Sequence, residues 1–205
     1  MQIAVISGSS RPRSQSLKIS QWVVEKLKTL GVQPFLLDLH ELLLPTEVDL
    51  LNFKNEPKAQ KAWEPFAAVL EQAMGLVVVS PEWNGMAPPA LMNFFEYASV
   101  TSKSLAHKPA HMLTVSSTDG GAYPAAELRV YGPKNNHFFY TPECTIIRNC
   151  ESVFNGLEPQ PNNSADEYLQ IRALHGLRIF LEYAAALKTM RETARVDLLK
   201  YPNGM

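Results

Sequence analysis

Three stretches of this chain concentrate side chains able to hold a ligand. In the first, Gly8-Ser9-Ser10-Arg11-Pro12-Arg13-Ser14-Gln15-Ser16, a glycine is followed by four serines, two arginines and a glutamine. A phosphate monoester brings nearly two negative charges and three acceptor oxygens. Gly8 permits close backbone approach, the serine hydroxyls and the forked Arg11 guanidinium donate, and the helix that follows adds unpaired amides and a positive dipole end. Serine at a helix start is also an ordinary cap, so the same residues read equally as a solvated Ser-rich turn. The stretch matches neither G-x-x-x-x-G-K-[ST] nor G-x-G-x-x-G, which disfavours a nucleotide triphosphatase and a dinucleotide cradle.

The second stretch, Ser80-Pro81-Glu82-Trp83-Asn84-Gly85-Met86-Ala87-Pro88-Pro89, encloses an aromatic ring and a side-chain amide between rigid ends. It could hold the edge of a planar heterocycle, or simply be a tight turn over a buried Trp, because Asn-Gly is a strong turn dipeptide. The third, Ser116-Ser117-Thr118-Asp119-Gly120-Gly121, again opens a helix. Its glycines allow a close backbone approach, and Ser117, Thr118 or Asp119 could cap the helix. His107 and His111 have the spacing of a metal pair, but Pro109 stands between them and no third ligand is identifiable, so both read as ordinary histidines. Cys144 and Cys150 lack C-x-x-C spacing and read as packed thiols.

The elements that must position these loops alternate in type. Apolar runs at Gln2–Ser7, Pro34–Leu39, Leu76–Ser80, Met112–Ser116 and Cys144–Ile147 suit strands covered on both faces, as in parallel sheets. Between them lie amphipathic helices from about Leu17 to Leu30, Ala59 to Ala73 (where Pro65 is expected to kink or interrupt the helix), and Pro89 to Thr101. The last helix opens on a capping box, Ser164-x-x-Glu167. Thr46–Glu56 and Gly132–Glu143 read as long irregular stretches. With 205 residues, 46% hydrophobic and 19% charged, the chain is expected to form one α/β domain over 1–205. A formal charge of −1 with no basic stripe argues against nucleic acid as a partner. The absence of a leader or a long apolar run argues for a cytoplasmic address and against a membrane. All three loops then fall outside the carboxyl ends of strands one, three and four, where open parallel sheets bind ligands.

On these residues the sequence resembles the NADPH-dependent FMN reductase family of quinone, azo-dye and chromate reductases. The resemblance rests on Gly8-Ser9-Ser10-Arg11-Pro12-Arg13-Ser14, Pro81-Glu82-Trp83-Asn84-Gly85, Leu91-Met92-Asn93, Gly120-Gly121 and Leu128-Arg129, covering about residues 1–130. It implies a flavodoxin-like three-layer sandwich, with a five-stranded parallel sheet in order 2-1-3-4-5 and helices on both faces. Ser9, Arg11, Ser14, Gln15 and Ser16 would hold the FMN phosphate and ribityl neighbourhood. Pro81, Glu82, Trp83, Asn84 and Gly85 would line the isoalloxazine, and Ser117, Asp119 and Gly120 would lie near its polar edge. Trp83, Met86, Met92 and Tyr123 depart from the family's usual Tyr, Ser, Lys and Arg. Those changes bear on nicotinamide contacts and acceptor preference.

The implied activity is hydride transfer from NAD(P)H through bound FMN to a quinone-like, azo or other small acceptor, by a homodimer or homotetramer. Because the cofactor carries the chemistry, no catalytic side chain is nominated and no metal site is expected. A flavodoxin-like electron carrier and a non-catalytic flavin-binding regulatory protein are the competing readings. The near-neutral charge and Arg11 speak against the carrier.

Overall fold

The computed structural model describes residues 1–101 and 103–203. Five strands, β1 (Gln2–Ser7), β2 (Gln33–Asp38), β3 (Leu76–Pro81), β4 (Pro109–Val115) and β5 (Phe139–Ile147), form one parallel sheet in the order β2-β1-β3-β4-β5. This is the flavodoxin-like order that the family resemblance implied. Strand side chains alternate between faces, so each central strand must feed two cores. Ala4, Ile6, Val78 and Met112 pack on one face against α2 (Pro57–Gln72) and α3 (Pro89–Thr101), through Trp63, Phe66 and Phe94. Ile3, Val5, Val77, Val79 and Leu113 pack on the other against α1 (Gln15–Thr29) and α6 (Ser164–Thr193), through Trp22, Leu27, Leu177 and Phe180. The short helices α4 (Ala122–Val130) and α5 (Pro133–Asn136) connect β4 to β5. No helix among the described residues is long and apolar enough to cross a membrane.

Four local expectations are corrected. Helix α2 runs through Pro65 without interruption. Pro65 faces solvent, which can satisfy the carbonyl left without an amide, and burial of Trp63, Phe66 and Leu70 outweighs a proline cost of about 3 kcal/mol. The cap of α6 is Asn163, one residue earlier than expected, with its side-chain oxygen accepting from Asp166 N–H at 3.1 Å. The register is set by the buried Asp166 carboxylate, which accepts from the backbone amides of Phe154 and Gln160.

The stretch 132–143 is only partly irregular. Pairing with β4 supplies its backbone partners, so β5 starts at Phe139 despite Thr141, Pro142 and Glu143, and a register shift near Ala110 absorbs the mismatch. Leu50–Asn55 likewise coils into a 3-10 helix, capped by the Asp49 carboxylate. The two histidines go separate ways. His107 lies outside β4 with Nε2 donating to Leu198 O at 3.0 Å, whereas His111 lies fully buried within β4 beside Thr141 Oγ1 at 3.1 Å. Burial pushes His111 down to about 4. Both cysteines are free thiols.

Candidate functional site

Parallel strands bring all their carboxyl ends to one edge of the sheet, and the order β1-β3-β4 sets the three loops side by side there. The first loop leaves β1 pressed against β3. Gly8 N–H donates to Val79 O at 2.9 Å, and a Cβ on Gly8 would lie 2.9 Å from that oxygen, so glycine is sterically required. Ser9 is buried, and its Oγ accepts from Arg11 N–H at 3.2 Å. Ser14 is the cap of α1, its Oγ accepting from Leu17 N–H at 3.1 Å. Capping and ligand binding are compatible, because each hydroxyl keeps its own proton to donate.

The opening turn of α1 is unfinished. The backbone amides of Gln15 and Ser16 have no partner among the described residues. Gln15 Oε1 and Ser16 Oγ are buried and equally unpaired, as is Ser7 Oγ at the end of β1. Polar atoms buried without partners cost roughly 1–3 kcal/mol each, so such a cluster marks a place where a ligand completes the bonding.

The second loop is a two-residue turn. Trp83 and Met86 exchange both backbone hydrogen bonds at 2.9 Å, and Asn84 and Gly85 both take positive φ, the conformation in which Asn-Gly is favoured. The turn and the aromatic platform are thus one object. Trp83 is half-buried, with its Nε1 unpaired, and the Arg11 guanidinium lies 5.5 Å from its ring centroid. That cation–π contact, worth about 0.5–1 kcal/mol at an exposed site, joins the first loop to the second. His40 Nδ1 lies 3.0 Å from Ser10 O and braces the first loop from the end of β2. One cavity of about 250 Å³ shares Ser10 with this loop and continues along Leu39, Leu42, Pro89 and Asn93.

The third loop differs from its sequence reading. The cap position of α4 is Gly121 at φ +96°, with no side-chain cap from Ser117, Thr118 or Asp119. The Glu82 carboxylate accepts from Gly121 N–H in a short hydrogen bond, and a Cβ on Gly120 would lie 2.7 Å from Glu82 Oε1. Glu82 therefore spends its side chain as a strut between loops, and its N–H donates to Val115 O at 2.9 Å, so its carbonyl is the backbone group left for a ligand. A second carboxylate runs the opposite way, with Glu127 of α4 accepting from Ala87 N–H at 2.6 Å. Ser117 and Asp119 are exposed and Gly120 is half-buried. Tyr123 flanks the second loop, its Cδ2 lying 3.9 Å from where a Gly85 Cβ would stand.

Sequence reasoning missed the residues that hold the three loops from outside: His40 for the first, Glu127 for the second, and Thr114, Arg148 and Asn149 for the third. None belongs to a local motif. Behind the loops, Lys18 donates to Cys150 O, Val153 O and Asn155 Oδ1, fastening the segment after β5 to α1. Burial lowers the Lys18 ammonium from its ordinary range, although its three acceptors keep it in a structural role, and raises the Cys150 thiol away from the reactive thiolate.

The NADPH-dependent FMN reductase family matches the chain over residues 1–151. Among solved structures, the FerB flavoenzyme NAD(P)H:(acceptor) oxidoreductase from Paracoccus denitrificans superposes at TM-score 0.68 with 19% identity, covering 92% of this chain and 97% of that one. A RosB structure holding 8-demethyl-8-formylriboflavin-5'-phosphate gives TM-score 0.67 at 14% identity, covering 98% of this chain and 84% of its own. An azoreductase from Bacillus anthracis str. Sterne gives 0.55 at 18%, covering 92% and 99%. At these identities the likeness is one of fold. No curated protein sequence matches the chain. The family match spans well over half of the chain, and the chain belongs to the NADPH-dependent FMN reductase family.

Proposed function

We propose that this chain, as a member of that family with FMN as cofactor and NAD(P)H as co-substrate, is a reductase of small planar acceptors of the quinone or azo type. One observation carries the placement of the cofactor: the unpaired backbone amides of Gln15 and Ser16 adjoin the buried, unpaired Ser16 Oγ, at the end of the loop that carries Ser9, Arg11 and Ser14. This donor set fits a phosphate monoester. Bound FMN supplies hydride acceptance from NAD(P)H and delivery to the acceptor.

The chain's own residues bind and orient. Ser9, Arg11, Ser14, Gln15 and Ser16 hold the phosphate end. Pro81, the Glu82 backbone, Trp83, Asn84 and Gly85 line the ring, and the Asn84-Gly85 turn keeps Trp83 in place. Ser117, Asp119 and Gly120 meet the polar edge. The reading extends to a cytoplasmic homodimer or homotetramer formed by one domain over 1–205. Free Cys144 and Cys150 support the address, and exposed Met86, Tyr123, Val130 and Tyr131 support assembly.

The test is direct. The purified protein should show flavin absorbance bands, release FMN on denaturation, bleach rapidly under anaerobic NADPH, and turn over a quinone and an azo dye at different rates. Bound FMN that stays yellow under NADPH and NADH would sink the reductase reading in favour of a binding protein.

A further inference from the structure

The third loop is held by its carbonyls. Thr118 O accepts from Asn149 N–H at 3.2 Å, and Asp119 O and Gly120 O accept from the single Nε of Arg148 at 2.7 and 3.1 Å. Gly121 O accepts from Thr114 Oγ1 at 2.7 Å. Four consecutive carbonyl oxygens are thereby occupied from the β4 and β5 side. The amides behave oppositely: those of Asp119 and Gly120 donate to nothing among the described residues, while their neighbours at Thr118 and Gly121 are taken by Ser116 Oγ and Glu82. A peptide unit whose oxygen is pinned cannot rotate to present that oxygen where its N–H points. Two successive fixed amides of this kind form a concavity that favours negative charge.

Arg148 is the least expected member of this grip. It follows β5 directly, is exposed, and makes both of these bonds through Nε. Asn149, in a left-handed conformation at φ +47°, turns the chain so that adjacent residues clasp successive carbonyls. We infer that Arg148 is a positioning residue: by holding the Asp119 carbonyl it orients the Gly120 amide of the same peptide unit, beside the Asp119 amide fixed through Thr118 O by Asn149, toward the polar edge of the bound cofactor, and so raises its reduction potential. The inference rests on the functional reading above. Reduction adds negative charge to the ring system, and preorganised donors favour the form carrying more of it.

The test compares wild type with Arg148→Ala. In cofactor-free protein, exchange of the Gly121 amide, which donates to Glu82 and shares a peptide unit with the Gly120 carbonyl held by Arg148, should accelerate in the variant while thermal stability stays close to wild type, since Arg148 is exposed. Affinity for reduced FMN should fall about tenfold more than affinity for oxidised FMN. For a two-electron couple that is a midpoint about 30 mV lower, measured by equilibration against a reference dye. A variant with the wild-type midpoint overturns the inference, including the case where both forms of FMN weaken equally. A wild-type chain that takes up no FMN overturns the functional reading and this inference together, an outcome distinguishable from the first.

Discussion

The helices α1 and α4 open on the same edge of the sheet and solve the same problem by different means. The start of α1 is built from side chains: Ser14 caps it, Ser9 and Arg11 stand in the loop that leads into it, and Gln15 and Ser16 leave buried polar atoms unpaired. The start of α4 has no side-chain cap, and its polarity comes from backbone amides held in place by Glu82, Thr114, Arg148 and Asn149. The first is a cluster of donors that a charged group can enter. The second is a rigid field aimed at a more diffuse charge. The difference suits the two ends of one ligand, a compact dianion and a conjugated ring.

The sharpest way to break this comparison is to separate phosphate from ring. Arg11→Ala should cost roughly 100-fold in FMN affinity, in line with hydrogen bonds to charged groups, and leave riboflavin affinity nearly unchanged in fluorescence titrations. Equal losses for both ligands would place Arg11 elsewhere than at the phosphate. Gly121→Ala should destabilise the fold by about 2 kcal/mol in denaturant unfolding, because φ +96° disfavours a Cβ and the new atom would stand 2.7 Å from Ile146 Cγ2. Unchanged stability would show that the third loop is less constrained than its contacts imply.

Glu82→Ala removes the acceptor of Gly121 N–H and should cost about 1.5 kcal/mol of stability, with FMN and riboflavin affinity falling together. A loss confined to FMN would contradict its role as a strut of the ring-side loop. The smallest effect is expected for Ser14→Ala, about 1 kcal/mol of stability from the lost cap, with FMN weakened more than riboflavin. If riboflavin weakened as much, the Ser14 hydroxyl would be a cap alone.

The same contrast explains what could be read in advance. The α1 site was legible because its parts are contiguous: nine residues contain the glycine, the hydroxyls, the guanidinium and the helix start. The Asn-Gly turn was legible for the same reason. At α4 the paired glycines were visible but not what surrounds them. Ser117, Thr118 and Asp119 offered themselves as caps, and the structure uses none of them in that way. Glu82 lies 39 residues from its partner Gly121, and Arg148 lies 29 from Asp119. Local pattern carries no information about such pairs.

Hydrophobic periodicity by itself determined the strand–helix alternation, because a strand buried on both faces and a helix buried on one leave different marks in the chain. It also determined that the glycine- and serine-rich loops follow strands. Where pairing supplies the partners, periodicity falls short. Strand β5 begins at Phe139 through polar residues because β4 offers its backbone groups, and α6 is capped by Asn163 because buried Asp166 must reach the amides of Phe154 and Gln160. Only the tertiary structure decided which carbonyls of the third loop are held and which amides are left over. Those choices depend on groups that meet through the order of strands in the sheet, and hydrogen bonds are specified by position in space.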